Sequence, residues 1–431
     1  MRKHMALASM ALLFGCSDLW TKYTVIDPNA AQDGGGTLAD AATPGCTPDR
    51  AYVQNGDTFT TCCYVSDSEL SGNNVYKTIR DAQQQNIANP TIIIGCPEPR
   101  ELPVQTLASS TNLGEESALP IIDRNVTIEG NKCSLNALGK NRHFLVRRSG
   151  SLTLKNIKLL NGMAVSNPAA STGWPPSMAD SLTSTDGACG GAVLTFGPLT
   201  LENSIITESK SVNRQKARGG AICIAGPETV SNVKLTLKNS LLYNNEASVI
   251  ETIAPAEGAA AYVFNAGVEL VHATILKNLN TTKNNQTPRS AALQIFNRTT
   301  KQTFVATNSL VINSSAWSTN PNLSANYAFS AKCVYDSIDK LVYDDKLWDT
   351  DCNAGTVAAG YRSNIFTTTP INADWPLPSG TQNQISPGGA WDSTMRTYSD
   401  LATCGNAGID YFGNKRPSSG CMPGAVEPRQ N

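Results

Sequence analysis

The sequence predicts an all-β fold, a right-handed parallel β-helix in which short strands stack as successive coils of a solenoid. Short segments with the same residue types in the same positions recur along the chain, and apolar and polar residues alternate within each segment with a period of two. A small-residue marker precedes these segments at Gly190, Gly219, Gly258 and, in a weaker form, Ser290, so successive markers lie 29, 39 and 32 residues apart. A repeat of this length fits one coil and a loop of variable length.

The N-terminus has the features of a signal peptide over residues 1–15. A short basic opening precedes the apolar run 6–14, which is far shorter than the roughly 20 residues needed to cross a bilayer. The run ends in Leu13-Phe14-Gly15-Cys16, which resembles the bacterial lipobox. The resemblance implies a lipoprotein that is anchored in a membrane by acyl chains on Cys16. The alternative is an ordinary cleaved signal peptide with an incidental cysteine.

Residues 16–71 are predicted to be the lipid anchor and a flexible tether. The glycine-rich and polar stretch 27–36 cannot bury enough apolar surface to fold alone. Three cysteines, Cys46, Cys62 and Cys63, are candidates to staple the later part of this tether.

A helix is predicted over 74–89, at the start of a β-helix that spans 72–330. Asn74 is a suitable cap, and Pro90 prevents continuation of the helix. Val75, Ile79 and Ala82 fall on one face of this helix. We expect the helix to cover the first open end of the solenoid.

The strand segments align on one polar position, which is occupied by Asn156, Asn203, Asn239, His272 and Asn308. Aliphatic or aromatic residues predominate four and two positions before it and three positions after it. The four-before column contains Leu152, Leu199, Leu235, Val268 and Phe304; the two-before column contains Leu154, Leu201, Leu237, Leu270 and Ala306; the three-after column contains Leu159, Ile206, Leu242, Ile275 and Val311. Stacking at about 4.8 Å would place each column in one vertical row.

The apolar alternation changes phase after the asparagine position, which predicts a bend in the chain there. Asparagines at such a corner can pass hydrogen bonds to the asparagines above and below them. His272 interrupts this ladder, and we expect it to keep a ring-nitrogen hydrogen bond in the corner. The alternative is a catalytic or metal-binding histidine.

Twelve cysteines in an exported chain indicate an oxidising compartment and some disulfide bonds. Lipid on Cys16 would leave eleven, so at least one is free or pairs between chains. Cys333–Cys352 and Cys404–Cys421 are plausible local pairs, and Cys96–Cys133 is a further candidate. No metal site is expected, because the sequence has no Cys-x-x-Cys motif and only three histidines.

The repeat is lost after about residue 331, so 331–431 are predicted to form the final coils and a disulfide-stapled C-terminal cap.

The Leu-Thr-Leu-x-Asn-Ser units that follow Gly-Gly-Ala resemble the pectin-lyase-like β-helices of bacterial surface proteins. Three tail segments, 385–392, 408–417 and 424–427, are similar to the ending of choice-of-anchor Q domain proteins. The resemblance covers residues 75–427 and implies a β-helix at the outer membrane or cell surface. It implies no particular activity.

A net charge of −1 gives no reason to expect nucleic acid as a partner.

Two functional hypotheses remain open. The first is a non-catalytic envelope protein that acts in adhesion, glycan binding or envelope structure, with a membrane and polysaccharide as partners. The second is a polysaccharide lyase, with Arg or Lys as base and Ca²⁺ as cofactor, or a glycoside hydrolase with two facing carboxylates. The sequence identifies no catalytic residue, and no cofactor is expected unless the lyase hypothesis holds.

Two regions supply candidate ligand-binding residues. The first is the basic run Lys210, Arg214, Lys216 and Arg218, which could bind an anionic glycan. The second is a long insertion over 163–188, in which Trp174 could stack on a sugar ring. The alternatives are a solvated basic loop and a mobile loop with one buried tryptophan.

Overall fold

The computed structural model describes twenty parts of the chain: residues 24–26, 45–46, 51–54, 57–59, 62–65, 70–85, 87–96, 99–104, 117–131, 133–165, 187–227, 232–251, 256–282, 292–296, 304–307, 309–312, 315–318, 329–332, 341–343 and 415–416. Within these residues the fold is all-β, with mostly parallel sheets and one helix. No described helix has the length and apolar character that a membrane span requires.

Four sheets, named I to IV here, contain most of the strands. Sheet I comprises Gly45–Cys46, Cys62–Val65, Thr91–Ile94, Asn125–Glu129, Ser151–Lys155, Leu199–Glu202, Lys234–Lys238, Gly267–Val271 and Phe304–Thr307. Sheet II comprises Glu101–Pro103, Ser134–Asn136, Lys158–Leu160, Ile205–Thr207, Leu241–Tyr243, Thr274–Leu276, Ser309–Ile312 and Leu341–Tyr343. Sheet III comprises Met163–Ala164, Lys210–Asn213, Glu246–Val249, Leu279–Thr282 and Ser315–Ser318. Sheet IV comprises Phe144–Val146, Val193–Thr195, Ile222–Ala225, Ala261–Phe264, Leu293–Phe296 and Phe329–Lys332.

Two smaller sheets complete the described strands. Gly187–Cys189 pairs in parallel with Lys216–Arg218. Thr24–Ile26, Ala51–Gln54 and Asp57–Phe59 form an antiparallel sheet. Cys62–Val65 pairs in parallel with Thr91–Ile94, so the second half of the range predicted to be a tether contributes strands to sheet I.

From Phe144 onward the chain visits sheets IV, I, II and III in that order and then returns to sheet IV; we call each circuit a pass. All strand pairs between successive passes are parallel and in register. Leu154 pairs with Leu201, Leu201 with Leu237, and Leu237 with Leu270. Leu159, Ile206, Leu242, Ile275 and Val311 likewise form one row in sheet II. The predicted columns are therefore confirmed.

The inward side chains of sheets I, II and IV pack into one apolar core. Leu154, Leu201 and Leu237 are fully buried in it, together with Leu159 and Val193. Outward neighbours such as Thr153 and Thr200 are partly exposed. One strand could not bury its own inward face, so the core depends on the stacking of passes.

The helix spans Gly72–Gln84 and contacts the first strands of sheet I. Val75, Ile79 and Ala82 are buried, as predicted. The predicted ends were wrong. Ser71 rather than Asn74 caps the helix, and its hydroxyl accepts a hydrogen bond from the Asn74 amide at 3.2 Å. Asn89 has a φ of 48°, which is incompatible with a helix that continues to residue 89.

The Gly-Gly-Ala marker lies directly before sheet IV and requires glycine. Gly190 and Gly219 have φ values of 74° and 55°. A Cβ atom on either residue would overlap the carbonyl oxygen three residues later. The marker is therefore a tight corner that residues with a side chain fit poorly.

The described residues contain two disulfide bonds. Cys189–Cys223 links strands of neighbouring passes, and Cys96–Cys133 links the residues beside the earlier strands Thr91–Ile94 and Ser134–Asn136. Cys96–Cys133 was predicted and is present, whereas Cys189–Cys223 was not predicted. The predicted pairs Cys333–Cys352 and Cys404–Cys421 lie outside the described residues, as does Cys16.

Candidate functional site

The predicted asparagine ladder lies at one corner, directly after the strands of sheet I. Asn156, Asn203, Asn239 and His272 share φ values between 47° and 52°, the left-handed region that asparagine tolerates best among non-glycine residues. Asn239 Nδ2 donates to Asn203 Oδ1 at 2.8 Å, and Asn156 Nδ2 donates to Glu129 Oε1 at 2.8 Å. The column therefore satisfies a backbone requirement as well as a hydrogen-bond requirement. Asn308 lies outside the described residues.

The small residues that follow the ladder supply hydrogen-bond acceptors to the preceding pass. Ser204 Oγ accepts from the Ile157 amide at 3.4 Å, Ser240 Oγ from the Ser204 amide at 3.2 Å, and Ser309 Oγ from the Ala273 amide at 3.1 Å. These backbone amides lie in the bend. There the serine hydroxyls take the place of the backbone carbonyl groups that accept hydrogen bonds in a regular β-sheet.

A second corner follows five residues later and was not predicted. Its left-handed residues are Asn161, Glu208, Asn244 and Lys277, with φ values between 51° and 56°. The next residue again provides a side-chain acceptor, because Asn245 Oδ1 accepts from the Ser209 amide at 3.0 Å and Asn278 Oδ1 accepts from the Asn245 amide at 3.1 Å. The mixed residue types at the left-handed position hid this corner from the sequence pattern.

The structure places the basic run beside the two ends of the predicted insertion. The first two residues of the predicted insertion, Met163–Ala164, are a strand that pairs with the start of the strand Lys210–Asn213. The last residues of the predicted insertion belong to the strand Gly187–Cys189, which pairs with Lys216–Arg218, so the insertion between the strands is 165–186. The basic run therefore lies at the base of the insertion. Trp174 itself lies outside the described residues.

Three members of the basic run form ion pairs with glutamates of the next pass. The distances are 2.9 Å for Lys210–Glu246, 3.1 Å for Arg214–Glu251 and 2.8 Å for Arg218–Glu257. Lys216 has no ion-pair partner within the described part of the chain. The run is thus partly neutralised.

Arg218 differs from the other three basic residues because its side chain is largely buried. Its guanidinium lies 4.8 Å from the centre of the Tyr262 ring, and its partner Glu257 is also buried. Cys189, which pairs in register with Arg218, forms the disulfide with Cys223. Arg218 therefore contributes to the support of this edge rather than to its exposed surface.

Two exposed apolar residues lie beside the exposed part of the basic run. Val165 is 57% exposed and Ile250 is 36% exposed. Asn213 joins them, because its side-chain amide donates to the Val165 carbonyl at 2.9 Å and its own carbonyl accepts from the Ile250 amide at 3.0 Å. We call Val165, Asn213, Arg214, Lys216 and Ile250 the loop-edge surface. It combines cationic and apolar groups at the edge where the insertion leaves and re-enters the stack.

Charged residues of alternating sign form an outward column in sheet I. Within this column Glu202 pairs with Lys155 at 3.1 Å and with Lys238 at 3.8 Å. Outside the column, Lys234 pairs with Glu269 at 2.5 Å. The side chains at these positions are half-exposed and are paired between passes.

Glu129 lies at the start of this column and was not predicted as a site. The residue is 6% exposed. Burial raises its pKa to about 7, against the opposing effect of hydrogen bonds from Asn156 and Asn131 and of the nearby Lys155 charge. Its in-register pairing with Lys155 is the signal that could have identified it. A carboxyl group with so high a pKa can hold a proton at neutral pH.

Within the described residues no group of three or more histidine, cysteine, aspartate or glutamate side chains is arranged to hold a metal ion. Comparison of the chain with protein-family models, with curated proteins and with solved structures gives no match. The choice-of-anchor Q and pectin-lyase-like resemblance therefore stays a prediction.

Proposed function

We propose that the chain is an exported lipoprotein, anchored through Cys16 to the outer membrane or cell surface, whose body is a right-handed parallel β-helix. In this proposal the body is a non-catalytic scaffold that binds glycan at the loop-edge surface and acts in adhesion or envelope structure. The two described disulfides support export to an oxidising compartment.

The loop-edge surface is the observation that carries the binding proposal. The connection from sheet III back toward sheet IV runs through residues 165–186 in one pass and through only 214–215 in the next, before the strands Gly187–Cys189 and Lys216–Arg218 respectively. In stacked-repeat proteins such insertions gather on one face, which is often the binding face. A ligand that binds there meets the exposed cations and apolar side chains together.

The chemistry of this surface fits an acidic glycan. A uronate ring carries a carboxylate and an apolar C–H face, which match Arg214 or Lys216 and Val165 or Ile250 respectively. The Arg214–Glu251 pair is exposed, with 75% and 52% of the two side chains accessible. Such pairs contribute at most about 1 kcal/mol. Arg214 can therefore exchange its glutamate for a ligand carboxylate at little cost.

One observation favours the alternative, a polysaccharide lyase or glycoside hydrolase. Glu129 has the raised pKa that a general acid needs, and it shares a charged column with Glu202. However, Glu129 is buried, and Asn156 of the corner ladder donates to it. We therefore assign Glu129 to the corner, and the Glu129→Gln variant decides between the two assignments.

A glycan array probed with the full-length chain tests the binding proposal. We expect binding to acidic glycans that becomes about tenfold weaker in the Arg214→Ala/Lys216→Ala variant, because two charge-assisted contacts are lost. The matched control is Arg147→Ala/Arg148→Ala, which removes two exposed arginines elsewhere. Equal binding by both variants would count against the loop-edge surface. Release of unsaturated uronate or of new reducing ends, abolished by Glu129→Gln, would instead establish the enzymatic alternative.

The anchor is tested separately. Metabolic labelling with a palmitate analogue should modify the wild-type chain and leave Cys16→Ser unlabelled. Labelling that persists in Cys16→Ser would contradict the proposed anchor without bearing on glycan binding.

A further inference from the structure

Arg416, one of the two described residues near the C-terminus, contacts the side of the sheet stack. Its side chain is 2% exposed, and Nη2 donates to Asn239 Oδ1 at 2.6 Å across 177 residues of sequence. Asn239 follows the strand Lys234–Lys238, and two further strands of sheet I, Gly267–Val271 and Phe304–Thr307, lie beyond it. The contact is therefore on the flank of the stack, two strands before the last described strand of sheet I.

The position of this contact follows from the direction of the corner ladder. Asn239 donates to Asn203 of the preceding pass, and Asn156 donates in the same direction to Glu129. The side-chain nitrogens of Asn156 and Asn239 thus face the earlier pass, and the side-chain oxygen of Asn203 faces the later pass. The oxygen of Asn239 accordingly faces the corner position of the next pass.

That next position is occupied by His272, the one described member of the column that is not asparagine. Imidazole has no NH₂ group to continue the amide ladder. Arg416 supplies a donor to the Asn239 oxygen at this point. A guanidinium that is removed from water needs such an acceptor, so the requirements of Arg416 and Asn239 match.

We propose that the interruption of the ladder at His272 is the docking point of the C-terminal residues Lys415–Arg416. In this proposal the hydrogen bond from Arg416 to Asn239 holds these two residues against the flank of the stack. The contact fixes the position of Lys415–Arg416 along the stack, because within the described corner column Asn239 is the asparagine that precedes a histidine rather than another asparagine. The thermodynamic consequence is that an asparagine at position 272 competes with Arg416 for the Asn239 oxygen.

Limited trypsin digestion of the full-length chain tests this proposal. Trypsin cleaves after Lys415, which is exposed, and not after Arg416, because Pro417 follows. Docking should slow that cleavage, since a protease needs local opening of the chain. Asn239→Gly removes the acceptor and keeps the left-handed backbone accessible. His272→Asn restores the ladder amide. Both leave the cleavage sequence unchanged, and we expect both to accelerate cleavage after Lys415 about tenfold.

The matched control is Asn156→Gly, which makes the same change at the same corner without a contact to Arg416. Cleavage after the exposed Arg214 serves as the internal reference and should not change in any variant. A general loss of folding would accelerate both cleavages and would be visible by circular dichroism. In that event His272→Asn, which adds a ladder contact, decides the question. Cleavage after Lys415 that is unaffected by His272→Asn would overturn the proposal.

Discussion

At the scale of single residues, burial shifts the pKa values of two ionisable side chains, Glu129 and His143, in opposite directions. Burial raises the pKa of Glu129 to about 7 from an ordinary value of 4.5. Burial lowers the pKa of His143 to about 4 from 6.5, although its Nε2 lies 2.8 Å from the Leu135 carbonyl oxygen. Both shifts arise mainly from desolvation of the charged form, but they act in opposite directions on the folded state.

The contributions of Glu129 and His143 to the pH dependence of the free energy of unfolding should nearly cancel between pH 4.5 and 6.5. Folded Glu129 holds a proton that the unfolded chain has released, so its contribution is complete below pH 4.5 and is lost as the pH rises to 7. Folded His143 resists protonation, so its contribution is complete above pH 6.5 and is lost as the pH falls to 4. Each contribution is on the order of 3 kcal/mol. We therefore expect the wild-type free energy of unfolding to change little across this range.

Single variants separate the two effects. Glu129→Gln should lose stability as the pH falls from 6.5 to 4.5, because only the His143 effect remains. His143→Gln keeps a side-chain donor and should gain stability over the same fall. Urea unfolding at several pH values measures both. Parallel pH profiles for the two variants would contradict the assignment.

The residue types at the corner could be predicted from the sequence, but their physical reasons could not. The repeated asparagines indicated a ladder, whereas the left-handed φ and the direction of each amide depend on how the passes stack. Glu129 escaped notice because its raised pKa results from burial, and no pattern reports the burial of a single outward side chain. Arg416 escaped notice because its partner Asn239 is 177 residues distant.

At the scale of the element, the serines that follow the strands of sheet I accept hydrogen bonds from backbone amides in the bend of the preceding pass. Ser240 Oγ accepts from the Ser204 amide, and Ser309 Oγ accepts from the Ala273 amide. Ala273, which occupies the serine position of the intervening pass, has no side-chain acceptor for the Ser240 amide of the pass before it. The Ala273 amide thus has a serine acceptor in the next pass, whereas Ala273 offers no hydroxyl to the pass before it.

Two substitutions in this column should have opposite effects. Ser240→Ala leaves the buried Ser204 amide without its hydroxyl acceptor and should lower the free energy of unfolding by about 1–3 kcal/mol. Ala273→Ser supplies an acceptor to the preceding pass and should raise the free energy of unfolding by about 0.5–1.5 kcal/mol. Thermal and urea unfolding measure both changes. A destabilised Ala273→Ser together with a neutral Ser240→Ala would show that packing, rather than hydrogen bonding, sets residue size in this column.

The strands were predictable and their boundaries were less so. Period-two alternation and repeated residue types located the strands of sheets I and II, because their inward residues recur in every pass. The strands of sheet III, such as Leu279–Thr282, carry no common residue type and were not predicted. The helix was found but misplaced, since Ser71 and Asn74 are both acceptable caps and only the backbone decides between them.

At the scale of the whole molecule, the register pairings join each pass to its two neighbours. Pairings of this kind make stability nearly additive along the stack, so that damage in one pass spreads mainly to adjacent passes. The two described disulfides conform to this arrangement. Cys96–Cys133 staples the early strands, and Cys189–Cys223 staples two passes at the point where the insertion returns.

Removal of one disulfide should therefore destabilise its own part of the stack. Cys189 and Cys223 are 34 residues apart, so the loss of this crosslink should lower the free energy of unfolding by about 2–4 kcal/mol. In Cys189→Ala/Cys223→Ala we expect faster hydrogen exchange in Val193–Thr195 and Ile222–Ala225, with little change in Glu101–Pro103. Cys96→Ala/Cys133→Ala, the matched control, should accelerate exchange in Glu101–Pro103 and leave Ile222–Ala225 protected. Uniform acceleration throughout the stack in both variants would mean that the passes unfold as one cooperative unit, and the near-additive account of stability would then fail.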